Sequence, residues 1–353
     1  MRAATYTQGQ GFKIADVPVP APREGELLIR VAATAICGTD IKTARNGGRR
    51  LKPGQRIVLG HEFVGTVAEA GAAARGFAPG DRVGVAPNFG CGRCEACGRG
   101  LANMCPDYSA FGIDRDGSHA PYVLVPAPAV TQGNVTPLPP DTPWEEAALA
   151  EPLSCVLNAQ RNARLAAGET VVIYGVGPMG LLHVMLAAAT GAARVIAVDT
   201  NGRRLEQAAA VGATIVIDST RDAVNARVQD ATEGRGADVV VTAAPVPAIV
   251  PEALQLLASF GRLCLFAGLV KGQSEVTLDA NLIHYRNLHV SGTTGGSNAD
   301  YRDALHWIAA RRVDVRPAIS HVLPMERLDE AYRIALAGEG LKIVVKGDSC
   351  APG

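Results

Sequence analysis

The chain has 353 residues, 48% of them hydrophobic and 19% charged, with 34 Lys+Arg balancing 34 Asp+Glu. That length suggests two domains, and the composition is that of an ordinary globular protein with ample material for cores. Zero net charge without any block of like charge gives no reason to expect nucleic acid or an anionic membrane as a partner.

The opening MRAATYTQGQGFKI lacks the apolar core of a signal peptide, so a cytoplasmic location is expected. Residues 1 to about 150 are rich in Gly and Pro, with short β-branched runs in ELLIRVAATAI, FVGTVAEA, DRVGVAP and YVLVPAPAV. Short strands with frequent turn signals imply an irregular all-β or α+β domain. From Glu145 the spacing of apolar residues becomes helical, in EEAALA and LSCVLNAQRNARL. Pro152 suits the first residue of a new helix, where its missing N–H is not needed. A residue before proline is biased toward an extended backbone, so Glu151 is expected at a break between two helices.

From Thr170 strands and helices alternate. TVVIYG, RVIAVD, TIVID, ADVVVTAA and GRLCLFAG read as strands; PMGLLHVMLAAATGA, NGRRLEQAAAVGA and PEALQLLASFG read as helices, the last closed by Gly261. This rhythm implies a parallel sheet covered by helices on both faces. LHVSGTT, the helix ADYRDALHWIAAR and the segment RLDEAYRIALAGEGLKIVVKG complete the chain. The weakly charged stretch Val171–Ala193 is broken by Gly175, Gly177, Pro178 and Gly180, so no membrane span is expected there.

Three groups of residues carry chemistry. In YGVGPMG, glycines stand at 175, 177 and 180, between a strand and a helix, and the next strand ends in Asp199. Gly175 permits the tight turn, Gly177 a close approach to a pyrophosphate, and Gly180 close helix–strand packing, with Pro178 and Met179 opening the helix. Asp199 can accept from a ribose 2′-hydroxyl and would repel a 2′-phosphate, which favours NAD over NADP; Arg203 and Arg204 temper that preference.

CGRCEACGRGLANMC places Cys91, Cys94, Cys97 and Cys105 so that four thiolates converge on one tetrahedral ion. Four ligands fill zinc's shell, so this site is structural. In a chain this long without an export signal, clustered cysteines read as metal ligands rather than disulfides. The third group is scattered: Cys37 in ICGTD, His61 and Glu62 in GHEF, and Glu151 with Cys155 as a rival in AEPLSC. A catalytic zinc takes three protein ligands and keeps a fourth position open.

With CGTD, GHEFVG, the cysteine lobe, EPLSC, GVGPMG and VD in this order, the chain resembles the zinc-dependent medium-chain dehydrogenases over essentially its whole length. It is most similar to their polyol branch, typified by sorbitol (L-iditol) dehydrogenase, with L-threonine 3-dehydrogenase and butanediol dehydrogenase as near relatives. The resemblance implies an α/β fold class: a GroES-like, mainly β catalytic domain over 1–152 and 291–353, with a structural-zinc lobe at about 88–108. A Rossmann coenzyme domain with a doubly wound parallel sheet is implied over 153–290, with the active site in the cleft. It implies two zinc ions per chain, NAD, a small-molecule alcohol or ketone substrate, and a homodimer or homotetramer.

Roles carry over residue by residue. Cys37 and His61 are implied as catalytic zinc ligands, Glu62 as a ligand exchanging with water or substrate, and Glu151 as the polyol-type ligand, with Cys155 a packed helix residue. Thr39 is implied to receive the substrate proton, and Gly268, Leu269, Val270, Gly292, Thr293 and Thr294 to border the nicotinamide. The implied reaction is oxidation of a secondary alcohol to a ketone, with zinc as Lewis acid and hydride passing to the nicotinamide.

Two departures bear on substrate and relay. Lys42 stands where many relatives have a proton-relay histidine; it is expected to position cofactor, or to accept a proton only if buried. No arginine follows Gly292 until Arg302, where sorbitol dehydrogenases often place a substrate-binding one, so another polyol, a cyclitol or an amino alcohol fits equally well. His119, in the loop DGSHAPY, is a candidate for substrate contact, whereas His183, His306, Trp307 and His321 read as structural. The non-enzymatic alternative is an NAD-binding protein that keeps the same fold.

Overall fold

The computed structural model describes residues 1–48, 50–74 and 76–347, so the expectation of a frayed tail at Cys350 lies outside the described residues. The chain forms two compact units. One comprises 1–154, 296–311 and 319–353; the other comprises 155–295 and 312–318. Residues 291–295 and 312–318 therefore group with the second unit and 153–154 with the first, whereas the resemblance implies all of 291–353 in the first and a coenzyme domain over 153–290.

The first unit is built on a seven-stranded sheet. Its path runs Val135–Pro137, Arg82–Val85, Glu62–Ala70, Leu27–Ala35, Lys342–Lys346 and Ile319–Pro324, and Tyr122–Val125 pairs with the other part of Leu27–Ala35. The C-terminal strand Lys342–Lys346 lies antiparallel to the end of Leu27–Ala35, with Val344 opposite Ala35. Alternating apolar residues put Leu27, Ile29, Val31, Phe63, Val67, Val83 and Val85 into one core with Tyr332 and Ile343. Register breaks at Leu28/Ile29 and Val31/Ala33 bend the central strand before it delivers Cys37. A smaller sheet joins Arg2–Thr7 to Gly11–Asp16 and Arg56–Val58.

The second unit contains a six-stranded, all-parallel sheet. In space its strands are Ile215–Asp218, Arg194–Asp199, Thr170–Tyr174, Ala237–Thr242, Leu257–Leu265 and His289–Gly292. This is the doubly wound order, in which the succession of strands reverses beside Thr170–Tyr174. Every residue of Thr170–Tyr174 is buried, as expected for a strand covered on both faces.

Two expectations about helix boundaries are corrected. The helix expected to run to Gly261 ends at Gln255, and Leu257 already pairs with Ala237 in the sheet. Pairing overrides the local helical pattern, and Gly261 serves inside the strand, where a Cβ would lie 2.8 Å from the Ala258 carbonyl oxygen. Nor does a break fall at Glu151. The turn lies at 148–149, and the helix Ala150–Asn162 runs through Glu151 and Pro152. Pro152 is its third residue, still within the first turn where no N–H partner is needed, so packing overcomes the pre-proline bias. Among the described residues, no helix is long and apolar enough to cross a membrane.

Candidate active site

Leu27–Ala35 ends two residues before Cys37, which caps the helix Gly38–Asn46. His61 immediately precedes the strand Glu62–Ala70. These neighbours in one sheet bring ligand atoms of Cys37, His61 and Glu62 within 4.8 Å of one another. His61 and Glu62 are buried, and Cys37 is half-buried. Glu151 does not join that set, although it is also buried and its charge is felt by Lys342 and Tyr301.

Asp40 is fully buried and organises the set, although the sequence reading gave it no role. Its carboxylate accepts the backbone N–H of Cys37 at 2.9 Å and of Gly60 at 3.1 Å, and its Oδ1 lies 3.6 Å from His61 Nδ1. It thus ties together the two segments that carry Cys37 and His61. Burial alone would raise the pKa of Asp40, but His61, His119 and the Cys37 N–H bring it down to about 2. Burial likewise opposes a charge on His61, yet Asp40 and Cys37 push its pKa well above the imidazole range. Asp40 and Cys37 thus make a cation favourable beside this imidazole, a place a proton takes in the free site and a bound metal would compete for.

A second overlooked residue is Lys342. Its ammonium donates to both carboxylate oxygens of Glu62, 2.7 Å from Oε2, and both side chains are almost completely buried. Burial disfavours the charged lysine, but the Glu62 carboxylate outweighs it and raises its pKa. Each ion offsets the cost of burying the other.

Thr39 and Lys42 lie on the helix Gly38–Asn46 and are exposed, so the burial that would make Lys42 a proton acceptor is absent. His119 is corrected: it is fully buried, with one ring nitrogen 2.7 Å from the Tyr332 hydroxyl and the other 3.3 Å from the Ala35 carbonyl oxygen, so no face remains for substrate. His183 is buried against Gln160 and Phe266, a packing role as expected.

The sulfurs of Cys91, Cys94, Cys97 and Cys105 also lie within 4.8 Å of one another. The two shortest elements nearby, Asn88–Phe89 and Ser109–Ala110, pair to close the base of this lobe. Backbone N–H groups of Arg93 and Cys94 bring the Cys91 thiol down to about 6, toward the thiolate that a metal takes. Gly90 leaves room for the cage: a Cβ there would fall 2.3 Å from Cys97 Sγ.

In the second unit, Gly175 has φ +84 and a Cβ on it would meet Ala244 at 2.7 Å. Gly177, Pro178 and Met179 start the helix Pro178–Ala189. A Cβ on Gly180 would fall 1.8 Å from the Gly175 carbonyl oxygen, so only glycine lets the helix meet the turn. Gly180→Ala is expected to cost about 1–3 kcal/mol through overpacking and to weaken NADH binding, read by thermal unfolding and a fluorescence titration. Asp199 accepts the N–H of Val176 at 2.8 Å and of Asn201 at 3.0 Å, which fixes its carboxylate beside the turn. The Arg204 guanidinium lies 3.8 Å from a Cβ position on Gly177. Gly268, Leu269 and Val270 follow the strand Leu257–Leu265, and Gly292, Thr293 and Thr294 stand at the end of His289–Gly292. All these groups lie at the carboxyl ends of parallel strands, where doubly wound sheets bind ligands.

Comparison with known proteins shows the family. Residues 23–139 match the alcohol dehydrogenase GroES-like domain, and residues 178–310 match the zinc-binding dehydrogenase family. The L-threonine 3-dehydrogenase of Pyrococcus horikoshii is 35% identical over 342 residues, covering 95% of each chain. The sorbitol dehydrogenase of Bacillus subtilis is 33% identical over 352 residues, covering 98% of this chain and 97% of that one. The crystal structure of a zinc-binding dehydrogenase from Sinorhizobium meliloti bound to NADP superposes with a TM-score of 0.89 at 31% identity, covering 98% of both chains. The chain belongs to the zinc-dependent medium-chain dehydrogenase family and is an alcohol dehydrogenase in the broad sense.

Proposed function

We propose that the chain oxidises a secondary alcohol of the polyol class, or a cyclitol or amino alcohol, to a ketone with NAD. The observation that carries this reading is the convergence of Cys37, His61 and Glu62 within 4.8 Å in a pocket that favours positive charge. A thiolate, an imidazole and a carboxylate form a donor set that suits zinc. When bound, zinc would polarise the substrate oxygen as a Lewis acid, and the nicotinamide would take up hydride.

The chain's own residues supply the rest. Asp40 orients the His61 imidazole and fixes the Cys37 backbone. Lys342 neutralises Glu62 and fixes its carboxylate beside Cys37 and His61, so that three protein donors leave a fourth metal position for substrate. Thr39, exposed on the first turn beside Asp40, relays the proton leaving the substrate hydroxyl, accepting it while giving up its own hydroxyl proton toward solvent, and Lys42 one turn further positions cofactor. Glu151 is assigned to this site as a carboxylate that assists metal or substrate, with Cys155 in a packing role on the same helix. Glu151→Ala is expected to lower kcat/KM by about 100-fold and weaken metal retention, as changes beside metal ligands do, whereas Cys155→Ala keeps both. The reverse pattern would exchange the two roles.

NAD is favoured because the fixed Asp199 carboxylate repels a 2′-phosphate, and Arg204 is the residue that would offset it. The proposal carries with it a homodimer or homotetramer in the cytoplasm, with no nucleic-acid or membrane partner. The test is NADH formation on a panel of neutral polyols, cyclitols and amino alcohols, repeated with NADP. Tight NADH binding without turnover of any alcohol would support the non-catalytic alternative instead.

A further inference from the structure

His119 lies outside the metal ligand set, yet it touches both segments that carry it. Its N–H donates to the Leu59 carbonyl at 2.8 Å, and the neighbouring Ser118 N–H donates to Gly60 at 3.0 Å. Gly60 has φ +94, and a Cβ on it would fall 2.4 Å from the His119 ring. The imidazole therefore rests on the peptide immediately before His61. On its other side, His119 Nε2 lies 3.3 Å from the carbonyl oxygen of Ala35, two residues before Cys37. A second tie runs in parallel, with Thr34 and Ser118 hydroxyls 2.7 Å apart.

A carbonyl only accepts, so Nε2 carries the ring proton and Nδ1 is left with a lone pair. The Tyr332 hydroxyl, 2.7 Å from Nδ1, must donate to it. Tyr332 is 1% exposed on the C-terminal helix Leu328–Ala337, and its ring stacks on Phe12 with centroids 4.4 Å apart. A chain of two hydrogen bonds thus links that helix, through one imidazole, to the Cys37 segment, while the same ring packs on the His61 segment.

We propose that the His119–Tyr332 pair is a positioning device for the catalytic metal site, setting the spacing between the Cys37 and His61 segments and coupling it to the C-terminal helix. This rests on the reading of Cys37, His61 and Glu62 as metal ligands. Both members are fully buried, so losing Tyr332's hydroxyl leaves His119 Nδ1 without its donor, and losing His119 takes away the partner of the Tyr332 hydroxyl and of the Ala35 carbonyl together.

The test follows zinc release from the full chain to a colorimetric chelator, in wild type and in Tyr332→Phe, His119→Phe and the double variant. His61→Ala identifies the phase that belongs to the four-cysteine lobe. Each single variant is expected to speed release from the Cys37–His61 site by about ten-fold or more, leaving the cysteine-lobe phase unchanged. The double variant should release zinc about as fast as His119→Phe alone, because that change already breaks both hydrogen bonds of the chain, a non-additivity that two independent losses of packing would not give. Unchanged release in the single variants, or a double variant as fast as the product of the two, would overturn the proposal. A wild-type chain that holds zinc only in the cysteine lobe would overturn the underlying reading with it, and shows this before any variant is compared.

Discussion

Lys342→Met is expected to destabilise the first unit by about 3–5 kcal/mol, the cost of leaving a buried ion without its partner. Glu62 is 0% exposed and both of its oxygens receive the Lys342 ammonium, so no water can replace the lost charge. The paired change Glu62→Gln with Lys342→Met removes both charges and should recover most of that stability. Urea midpoints of the first unit, followed for the wild type, the single and the double variant, check this. A single variant within about 0.5 kcal/mol of wild type, the range of an ordinary surface substitution, would mean that the ion pair does not form as described.

His61→Ala should abolish alcohol oxidation while leaving cofactor binding nearly untouched. Lewis-acid stabilisation is worth several kcal/mol, so kcat/KM should fall by at least about a thousand-fold. Zinc content should drop from two per chain to one, because the Cys91, Cys94, Cys97 and Cys105 cage shares no ligand with the other site. NADH affinity, measured by fluorescence, should stay within about two-fold, since Gly175, Gly177, Gly180 and Asp199 belong to the other unit. Turnover surviving in a one-zinc protein would show that this metal is not needed for the reaction, and retention of both zinc ions would remove His61 from the metal site.

Local sequence pattern carried much of the architecture because the relevant signals are local. The glycine turn before Pro178 and the acid at Asp199 sit at fixed offsets within one strand–turn–helix unit, and the structure places them as that pattern requires. The four cysteines are likewise confined to fifteen consecutive residues, 91–105. The catalytic group was legible as residue types, but its supporting residues were not. Lys342 lies 280 residues from Glu62 and comes beside it only because the C-terminal strand joins the sheet next to Leu27–Ala35. Nothing in LKIVVKG distinguishes a lysine that will be buried from one that will face water. Asp40 was visible in CGTD, where an acid three residues after a helix cap signals a capping contact; its reach to Gly60 and His61 needed the sheet. Glu151 and Gly261 were misplaced for the converse reason, since packing and strand pairing outweighed local bias at Pro152 and after Gln255.

NAD-linked alcohol oxidation is expected to require a metal held by Cys37, His61 and Glu62. The most direct measurement is NADH formation by the wild-type chain on its best alcohol, with zinc content recorded as the ion outside the cysteine lobe is withdrawn and restored. Activity is expected to fall in proportion to that one zinc and to return when it is replaced. Full activity in a chain retaining only the zinc of Cys91, Cys94, Cys97 and Cys105 would contradict that expectation.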